Sequence, residues 1–371
     1  MATMERLYPL ARTILLWTCL VINAVFTFAD LPPITSARFR DFGSFWASGT
    51  LLAAGSNPYG YHPLVNDAGA AVNLNPPPSL FLCRLFAALD PLVGFWAWTT
   101  ASIILYGVTL LLLRQTYPRD WTRSHWLWAW SLAGFWYTLW QGQIWTVIPL
   151  LTTLTWCALR WNRSSAAAIP LAVLVAVKPN FALWPLIMFL AGYRRPSVLA
   201  GAFAAMLYAL PLVLYGPVIY AQWLDVALNS RQGAGIDNSS LTSLSLPLAG
   251  LVALALIIWL WRRSSEPAVT NTIGIAVSLL ASPITWPGYL LSLLPVFASR
   301  HWSLPMSASA VLLVLPWPLM AIVRTVPGGW LTWGHVDFIA TSLVLASVFL
   351  PSYLREHHHA RVSIGGIDIG R

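Results

Sequence analysis

The stretch RFRDFGSFWASGTLLAAGSNPYG, from Arg38 to Gly60, follows directly on the first long apolar run of the chain. It opens with arginines and an acid, Asp41, and continues as an apolar stripe at helical spacing that Gly55 ends. A short amphipathic helix beside an apolar run is typical of a segment that lies in a membrane interface. A second stripe, from Leu80 to Leu89, follows a proline-rich turn. The two stripes predict juxtamembrane helices that cover a pocket between membrane spans.

The composition indicates an integral membrane protein. The chain is 58% hydrophobic and 9% charged, whereas soluble domains are roughly 25% charged. Its 22 tryptophans predict several aromatic belts at membrane interfaces. The three cysteines, Cys19, Cys83 and Cys157, lack metal or redox spacing and are expected to be small buried apolar residues. The net charge of +9 is explained by topology and attraction to anionic lipids, so no nucleic-acid partner is expected.

The spacing of apolar blocks predicts an all-α, polytopic fold with about twelve transmembrane helices, since each span needs about 20 residues. Residues 1–371 are expected to form one domain, because no hydrophilic block separates the spans. The first span is interpreted as a retained helix rather than a signal peptide. The blocks are centred on 10–29, 94–113, 124–140, 144–159, 165–178, 180–192, 197–216, 243–261, 269–283, 288–299, 303–323 and 335–353.

The distribution of basic residues predicts the orientation. With an even number of spans, 15 of the 21 Lys and Arg residues fall on the side of the two termini, and basic loops stay in the cytoplasm. Both termini and a tail at 354–371 are therefore expected inside. Two long connections, 30–93 and 217–242, fall outside. Because function concentrates on loops held by a rigid scaffold, we expect the active-site loops on the outer face.

Asp41 has two interpretations that its position leaves open. It stands where an N-cap residue is expected, with a carboxylate that accepts backbone N–H bonds at the start of the helical stripe. It could equally act as a general base, because a helix N-terminus and nearby arginines favour the anion. A carboxylate of this kind can accept a proton from a hydroxyl whose acidity rises in the transition state.

Six motifs occur in the order found in a known family. They are RDFGSFWASGTLLAAGSNPYG, LNPPPSLFLCRLFAALDP, GQIWTVIPLLTTLTW, AAAIPLAVLVAVKPNFALWPLIMFLAGYRRP, DNSSLTSLS and ASPITWPGYLLSLLP. Together they resemble glycosyltransferase family 87, of the GT-C superfamily, over about residues 40–295. The resemblance implies polyprenol-phosphate-mannose-dependent mannosyltransferase chemistry, in which the sugar inverts relative to the donor linkage and Asp41 is the base. It implies no nucleotide cofactor and no metal site.

The resemblance and the charges predict which residues bind the lipid phosphate of the donor. Lys178, the only lysine, ends an apolar helix, where it could also merely extend to the interface. Arg231 lies in a glycine-containing outer loop and is either a phosphate contact or a solvated charge. Arg84 lies in an apolar stripe and contacts either the donor or lipid headgroups. Cationic groups near the leaving phosphate would stabilise the charge that develops on it.

Polar residues near the outer ends are candidates for sugar or acceptor binding. Gln141 and Gln143 either contact sugar or satisfy the backbone of a turn. Asn238 and Ser239 either contact sugar or cap the helix near Leu241. His62 could contact acceptor or phosphate, or serve the loop's structure. Tyr289 is the remaining candidate: it follows Pro287 and Gly288, where the family often has His, and its hydroxyl is the candidate replacement.

The sequence therefore predicts a multi-pass glycosyltransferase in the cytoplasmic (inner) membrane with its site on the outer, periplasmic face. Its expected partners are a polyprenyl-phosphate sugar donor, a glycolipid or glycan acceptor and membrane lipids. A transporter or flippase of lipid-linked sugars is the alternative, because about twelve spans are common among transporters. The spans hold few charges and show no inverted repeat, which favours the enzyme.

Overall fold

The computed structural model describes residues 2–29, 40–62, 73–118, 121–229, 238–262, 266–324 and 332–364. Every regular element within these ranges is helical, which confirms the all-helical class. The α-helices are α1 (Ala2–Ala29), α2 (Arg40–Ala53), α3 (Leu80–Ala87), α4 (Pro91–Thr116), α5 (Arg123–Ser131), α6 (Ala133–Gln141), α7 (Val147–Arg160), α8 (Ser164–Val177), α9 (Leu183–Leu190), α10 (Arg194–Tyr215), α11 (Val218–Asn229), α12 (Leu241–Leu244), α13 (Leu246–Arg262), α14 (Pro267–Leu280), α15 (Leu294–Ser299), α16 (Leu304–Leu312), α17 (Trp317–Arg324) and α18 (Trp333–Ile364). Short 3₁₀ helices lie at Pro77–Ser79, Ile144–Thr146, Pro179–Ala182 and Pro287–Leu293.

Three described helices are long and apolar enough to cross a bilayer: Leu10–Ala29 of α1, α4 and α10. Their outward faces carry large apolar side chains; Val213 on α10 is 79% exposed. Such faces suit contact with lipid, in which only internally hydrogen-bonded helices and closed barrels can span. Shorter apolar helices accompany them, so the structure is that of a membrane protein, while the count of about twelve spans remains a prediction.

Two blocks that the sequence predicts as single helices, 124–140 and 303–323, are each broken in the middle. The first break lies at Leu132, whose backbone is extended at φ −58° and ψ 120°. The second lies between α16 and α17, where Pro316 has no amide hydrogen to continue a helical ladder. The prediction of two continuous helices is therefore wrong, because apolar composition does not report where a helix is interrupted.

Backbone groups that are left unpaired at the two breaks form hydrogen bonds with each other or with Asn23. The amide of Ala133 donates to the carbonyl oxygen of Leu313 at 3.0 Å. Asn23 of α1, fully buried, donates from Nδ2 to the carbonyl oxygen of Ser131 at 3.2 Å and accepts from the amide of Trp317 at 3.0 Å. Buried backbone groups are costly to leave unpaired. These bonds therefore allow two helices to break inside an apolar core.

The predicted pair of short helices after the first span is present as α2 and α3. Residue Gly55, in the left-handed region at φ 71°, follows the end of α2 as expected. The helices touch backbone to backbone, since a Cβ on Gly49 would lie 2.3 Å from the carbonyl oxygen of Cys83. Asp90, which follows α3, caps α4: its Oδ1 accepts from the amide of Leu92 at 2.9 Å.

Several tryptophans lie in the core of the protein. Trp128, Trp145 and Trp184 are among the largest fully buried side chains. The indole of Trp184 donates to Asn271 Oδ1 at 2.9 Å, and that of Trp128 donates to the carbonyl oxygen of Ala310 at 3.0 Å. Buried tryptophans normally find such partners. The three cysteines are buried and form no disulfide, as expected, and burial raises the pKa of Cys83 to about 12.

Two predicted connections contain helices. The outer connection at 217–242 includes α11 and α12. At the other end of the chain, α18 continues to Ile364, through most of the expected tail. The amino-acid composition of these two segments did not distinguish helices from loops. Arg231, predicted for the outer connection, lies outside the described residues.

Candidate active site

A cavity of about 540 Å³ opens where α2, the ends of α6 and α8, and the loop after α14 converge. Five of the predicted site residues line it: Asp41, Gln141, Gln143, Lys178 and Tyr289. The full lining is Asp41, Ser44, Phe45, Leu74, Asn75, Pro76, Tyr137, Trp140, Gln141, Gln143, Trp145, Lys178, Pro179, Asn180, Ser282, Pro283, Ile284, Trp286 and Tyr289. A cavity of this size with convergent polar groups is the normal form of a small-molecule site.

Asp41 lies in the first turn of α2 and is half-buried. The helix begins at Arg40, so Asp41 does not precede it as the N-cap interpretation requires. Its Oδ2 accepts a short hydrogen bond from Nε2 of Gln143. An acid in a first helical turn is stabilised as the anion by the helix dipole. The amide and the helix together orient a carboxylate that can accept a proton in the cavity.

Gln143 is placed by a tight turn at the end of α6. Gly142 adopts the left-handed conformation, φ 67°, and closes that helix. A Cβ there would lie 2.6 Å from the Cβ of Phe42, the residue after Asp41. The indole of Trp98 donates to the carbonyl oxygen of Gln143 at 3.1 Å. Only glycine therefore lets this turn approach α2 closely enough for Gln143 to reach the carboxylate.

Lys178 follows the last residue of α8, as the sequence predicts, and points into the same cavity. Its Nζ donates to Oδ1 of Asn75 at 2.6 Å and lies 5.0 Å from the centre of the Tyr289 ring. The ring contact is within the range of a cation–π interaction. Neither the Asn75 amide nor the Tyr289 ring carries a negative charge that would offset the ammonium, so the group suits an anion that enters the cavity.

Asn75 is a site residue that the sequence analysis missed. Asn75 lies in the motif LNPPPSLFLCRLFAALDP, but nothing in that motif marked it as a contact of Lys178. The loop that carries it is held by Tyr59, whose hydroxyl donates to the carbonyl oxygen of Asn75 at 2.9 Å. Burial raises the pKa of Tyr59, so its hydroxyl stays protonated as a donor. Trp223 of α11 donates to the carbonyl oxygen of Leu74 at 3.1 Å.

Aromatic side chains form the wall of the cavity beside Lys178. The rings of Tyr137 and Trp140 stack at 5.5 Å, and those of Tyr137 and Trp145 at 6.0 Å. Gln141 Nε2 donates to the Tyr137 hydroxyl at 3.0 Å, while Trp286 is half-buried in the lining. Aromatic faces with polar edges suit a ligand that has both apolar and hydroxylated surfaces. The wall was missed because its members come from α6, from the 3₁₀ helix after it and from the loop after α14, which only the tertiary packing brings together.

Asn238 and Ser239 do not line the cavity but hold one of its loops. Asn238 donates to the carbonyl oxygen of Pro283 at 2.9 Å and accepts from the amide of Thr285 at 2.9 Å. Ser239 donates through both its amide and hydroxyl to the carbonyl oxygen of Thr285, at 2.8 and 3.0 Å. Neither caps α12, since Ser240 directly precedes it. These bonds support the loop from Ser282 to Trp286; sugar contact by the pair stays a prediction.

The structure places two other predicted residues away from the cavity. Arg84 is exposed on α3 and donates to the hydroxyl of Tyr215 at 3.2 Å. His62 packs edge-on against Trp46, with ring centres 5.6 Å apart. Neither lies in the lining, so donor or acceptor contact by them remains a prediction. Among the described residues, no group of three His, Cys, Asp or Glu side chains is close enough to hold a metal ion.

The cavity of this apolar helical protein thus combines a carboxylate, an ammonium and an aromatic wall. The family model for glycosyltransferase family 87 matches residues 73–283, more than half of the chain. The protein is therefore a glycosyltransferase, and it belongs to glycosyltransferase family 87. No curated protein and no solved structure matches it. The matched stretch contains Asn75 and Lys178, whereas Asp41 precedes it.

Proposed function

We propose that this protein is a multi-pass, GT-C-type glycosyltransferase of the cytoplasmic membrane. It moves mannose or a similar sugar from a polyprenyl-phosphate donor to a hydroxyl of a glycolipid or glycan on the outer face. The observation that carries the proposal is that Asp41 and Lys178 line one cavity. Transfer from a lipid phosphate needs a proton acceptor for the hydroxyl and a positive group for the leaving phosphate.

The proposed step is a single displacement at the anomeric carbon. The acceptor oxygen forms a bond to that carbon while Asp41 takes its proton. The bond from the anomeric carbon to the phosphate oxygen breaks, and its electron pair leaves with the polyprenyl phosphate. The ammonium of Lys178 stabilises the growing charge, an interaction stronger in the transition state than before it. Electrons and protons balance without a further co-reactant.

The number of carboxylates supports inversion of the sugar. Asp41 is the one acid among the described residues of the lining. A route that retains configuration through a covalent intermediate uses a second carboxyl group as a nucleophile in glycoside hydrolysis. One carboxylate acting as a base suits one displacement. The proposed product therefore has the opposite anomeric configuration to the donor linkage.

The positions of the basic residues support the outer location of the site. The cavity lies near the start of α4, where Phe95 packs on Phe42 at 5.7 Å. At the far end of α4, Thr116 contacts Cys157 Sγ at 3.1 Å, close to Arg160 on the same helix turn. A helix of 26 residues is about 39 Å long and joins both faces of a bilayer. Arg160 is one of the 15 basic residues that the charge distribution predicts in the cytoplasm. This prediction supports a cavity that opens on the opposite, outer face.

The central test replaces Asp41 by Asn in the full chain, purified into proteoliposomes with a labelled polyprenyl-phosphate sugar and a membrane glycolipid extract as acceptor. Loss of a general base predicts a fall in transfer of about 10²- to 10⁴-fold. Asp225→Asn is the matched control, because Asp225 is exposed on α11 and bonds Asn229 at 2.7 Å. Near-normal transfer by Asp41→Asn would exclude Asp41 as the base.

The phosphate role of Lys178 is testable without measuring catalysis. Because the chain has one lysine, an amine-reactive reagent labels only Lys178 and the N-terminus, which mass spectrometry separates. Polyprenyl phosphate should protect Lys178 and leave the N-terminal label unchanged. Equal labelling with and without polyprenyl phosphate would exclude the contact.

In the same liposomes, movement of lipid-linked sugar across the bilayer without acceptor would favour the flippase alternative.

A further inference from the structure

We infer that Asn75 is a positioning residue: it aims the ammonium of Lys178 at the donor phosphate and is itself held by a hydrogen-bonded relay that begins on the helix of Asp41. The inference rests on the proposed function, since it assigns Lys178 to the phosphate. It concerns Asn73, Asn75 and Ser48, which neither the sequence motifs nor the charges singled out for the site. The relay joins α2 to the end of α8 through Asn73 and Asn75, which lie in the loop before α3.

The relay is continuous and buried. Lys178 Nζ donates to Asn75 Oδ1 at 2.6 Å, and Asn75 Nδ2 donates to Asn73 Oδ1 at 2.8 Å. Asn73 Nδ2 then donates to Ser48 Oγ at 3.0 Å. Ser48, Asn73 and Asn75 are each at most 5% exposed. Buried chains of hydrogen bonds strengthen one another and are costly to leave incomplete.

The bonds fix the direction of both side-chain amides. Asn73 Oδ1 accepts from both the amide and the Nδ2 of Asn75, at 3.0 and 2.8 Å. The nitrogen of the Asn75 side chain is thereby committed to Asn73, so its oxygen must face Lys178. An ammonium has donors and no acceptor. The relay therefore presents to Lys178 the one group with which it can bond, and a reversed amide would oppose two donors.

The loop that holds the relay is restrained on its other side. The hydroxyl of Tyr59 and the indole of Trp223 bond the carbonyl oxygens of Asn75 and Leu74. These contacts leave the backbone at Asn75 little room to move. A catalytic group held by locked neighbours loses less entropy when it meets its substrate. Lys178 has four rotatable side-chain bonds and gains the most from such support.

The chemical nature of Asn75 decides what Lys178 can do. A neutral amide orients the ammonium through a charge-assisted bond and leaves its full charge for the phosphate. A carboxylate at the same position would bond the ammonium and neutralise it, but it could not donate to Asn73 Oδ1. Asn75→Asp and Asn75→Leu therefore both break the bond to Asn73. Only Asn75→Asp keeps an acceptor for Lys178, and it adds a negative charge, so the two variants separate the effect of charge from the loss of the contact.

The relay also fixes the position of Lys178 relative to Asp41, the proposed base. Asp41 and Ser48 are seven residues apart on α2, which places them two turns apart on one face of the helix. Their separation along the axis is about 10 Å. Ser44, between them, also lines the cavity. Helix α2 thus carries both Asp41, the proposed proton acceptor, and Ser48, the end of the relay that holds Lys178.

The test compares Asn75→Asp and Asn75→Leu with wild type in the full chain. Both should raise the donor KM about tenfold or more, the effect expected of a lost charge-assisted contact. At one mildly alkaline pH, amine labelling of Lys178 should be slower in Asn75→Asp than in wild type, because a carboxylate holds the ammonium protonated. Polyprenyl phosphate should also protect Lys178 from the reagent less in this variant than in wild type. Asn57→Asp is the control, because it adds the same charge to the same loop at an exposed position that bonds the amide of Tyr59.

The outcomes separate this inference from the proposed function. If Asp41→Asn abolishes transfer while both Asn75 variants keep the donor KM and the labelling rate, the relay is overturned and the enzyme assignment stands. Should Lys178→Met transfer normally, the phosphate role fails. A thermal unfolding measurement excludes misfolded variants from the comparison. Asn73→Leu, which removes the acceptor that fixes the Asn75 amide, should raise the donor KM as Asn75→Leu does and overturns the relay if it does not.

Discussion

The side-chain amide of Gln143 donates a hydrogen bond to the carboxylate of Asp41 from a position 102 residues further along the chain. The bond joins the turn after α6 to the first turn of α2 and gives the carboxylate one orientation. It forms because glycine at position 142 permits the close approach of the two segments.

Gln143→Glu should reduce transfer near neutral pH by about tenfold or more. It places a second carboxyl group against Asp41, and two close carboxyl groups cannot both ionise, so the pair retains a proton. Because that proton blocks the base and is lost only at higher pH, the acid limb of the pH–rate profile should move upward. Gln115→Glu, on the exposed end of α4, is the control. An unchanged profile would show that Gln143 does not control Asp41.

Tyr289→Phe should transfer sugar within about twofold of wild type, whereas Tyr289→Leu should raise the donor KM by about tenfold, in line with a cation–π contact. The reason is that the ring, not the hydroxyl, faces Lys178 at 5.0 Å. Steady-state kinetics of both variants decide between ring and hydroxyl. An equal rise of the donor KM in Tyr289→Phe and Tyr289→Leu would show that the hydroxyl makes the contact. The hydroxyl would then replace the histidine that the resembled family often has.

Asn238→Ala should lower the free energy of unfolding by about 1–3 kcal/mol, because it leaves buried partners on the loop at Pro283 and Thr285 unpaired. Thermal unfolding in detergent measures the change. Asn229→Ala, on an exposed helix end, should leave stability unaltered. Full stability with lost transfer would instead indicate direct sugar binding by Asn238.

Gly288→Ala should destabilise the protein by about 1–3 kcal/mol, the usual cost of overpacking. A Cβ there would lie 2.2 Å from Cε3 of Trp145 and 2.6 Å from Oγ1 of Thr138. Gly250→Ala, on α13 with open space around it, should be neutral or mildly stabilising in the same unfolding assay. Equal stability of the two variants would contradict the close packing. The clash also explains why this chain has no bulky side chain at 288.

Much of the fold could be predicted because its causes are local. Apolar runs and helical stripes indicate membrane helices whatever surrounds them, and α2 with its glycine stop was expected from spacing alone. The breaks at Leu132 and before Trp317 could not be predicted in this way. Each break is stabilised by hydrogen bonds to Asn23 and to backbone groups at the other break. Such pairings join residues up to 294 positions apart, and no periodicity reports them.

Composition and apolar spacing by themselves determined the helical membrane architecture, while the ordered motifs that resemble glycosyltransferase family 87 indicated the class and the candidate pair Asp41 and Lys178. Both kinds of pattern lie in consecutive residues and are therefore visible without the fold. Tertiary structure alone decided that Asp41 and Lys178 face one cavity and that Asn75, 103 positions before Lys178, holds the ammonium. It also decided that Asn238 supports a loop beside the cavity. The physical reason is that a buried polar group must find a partner in space, and the packing of helices, rather than the order of residues, determines which partner is within reach.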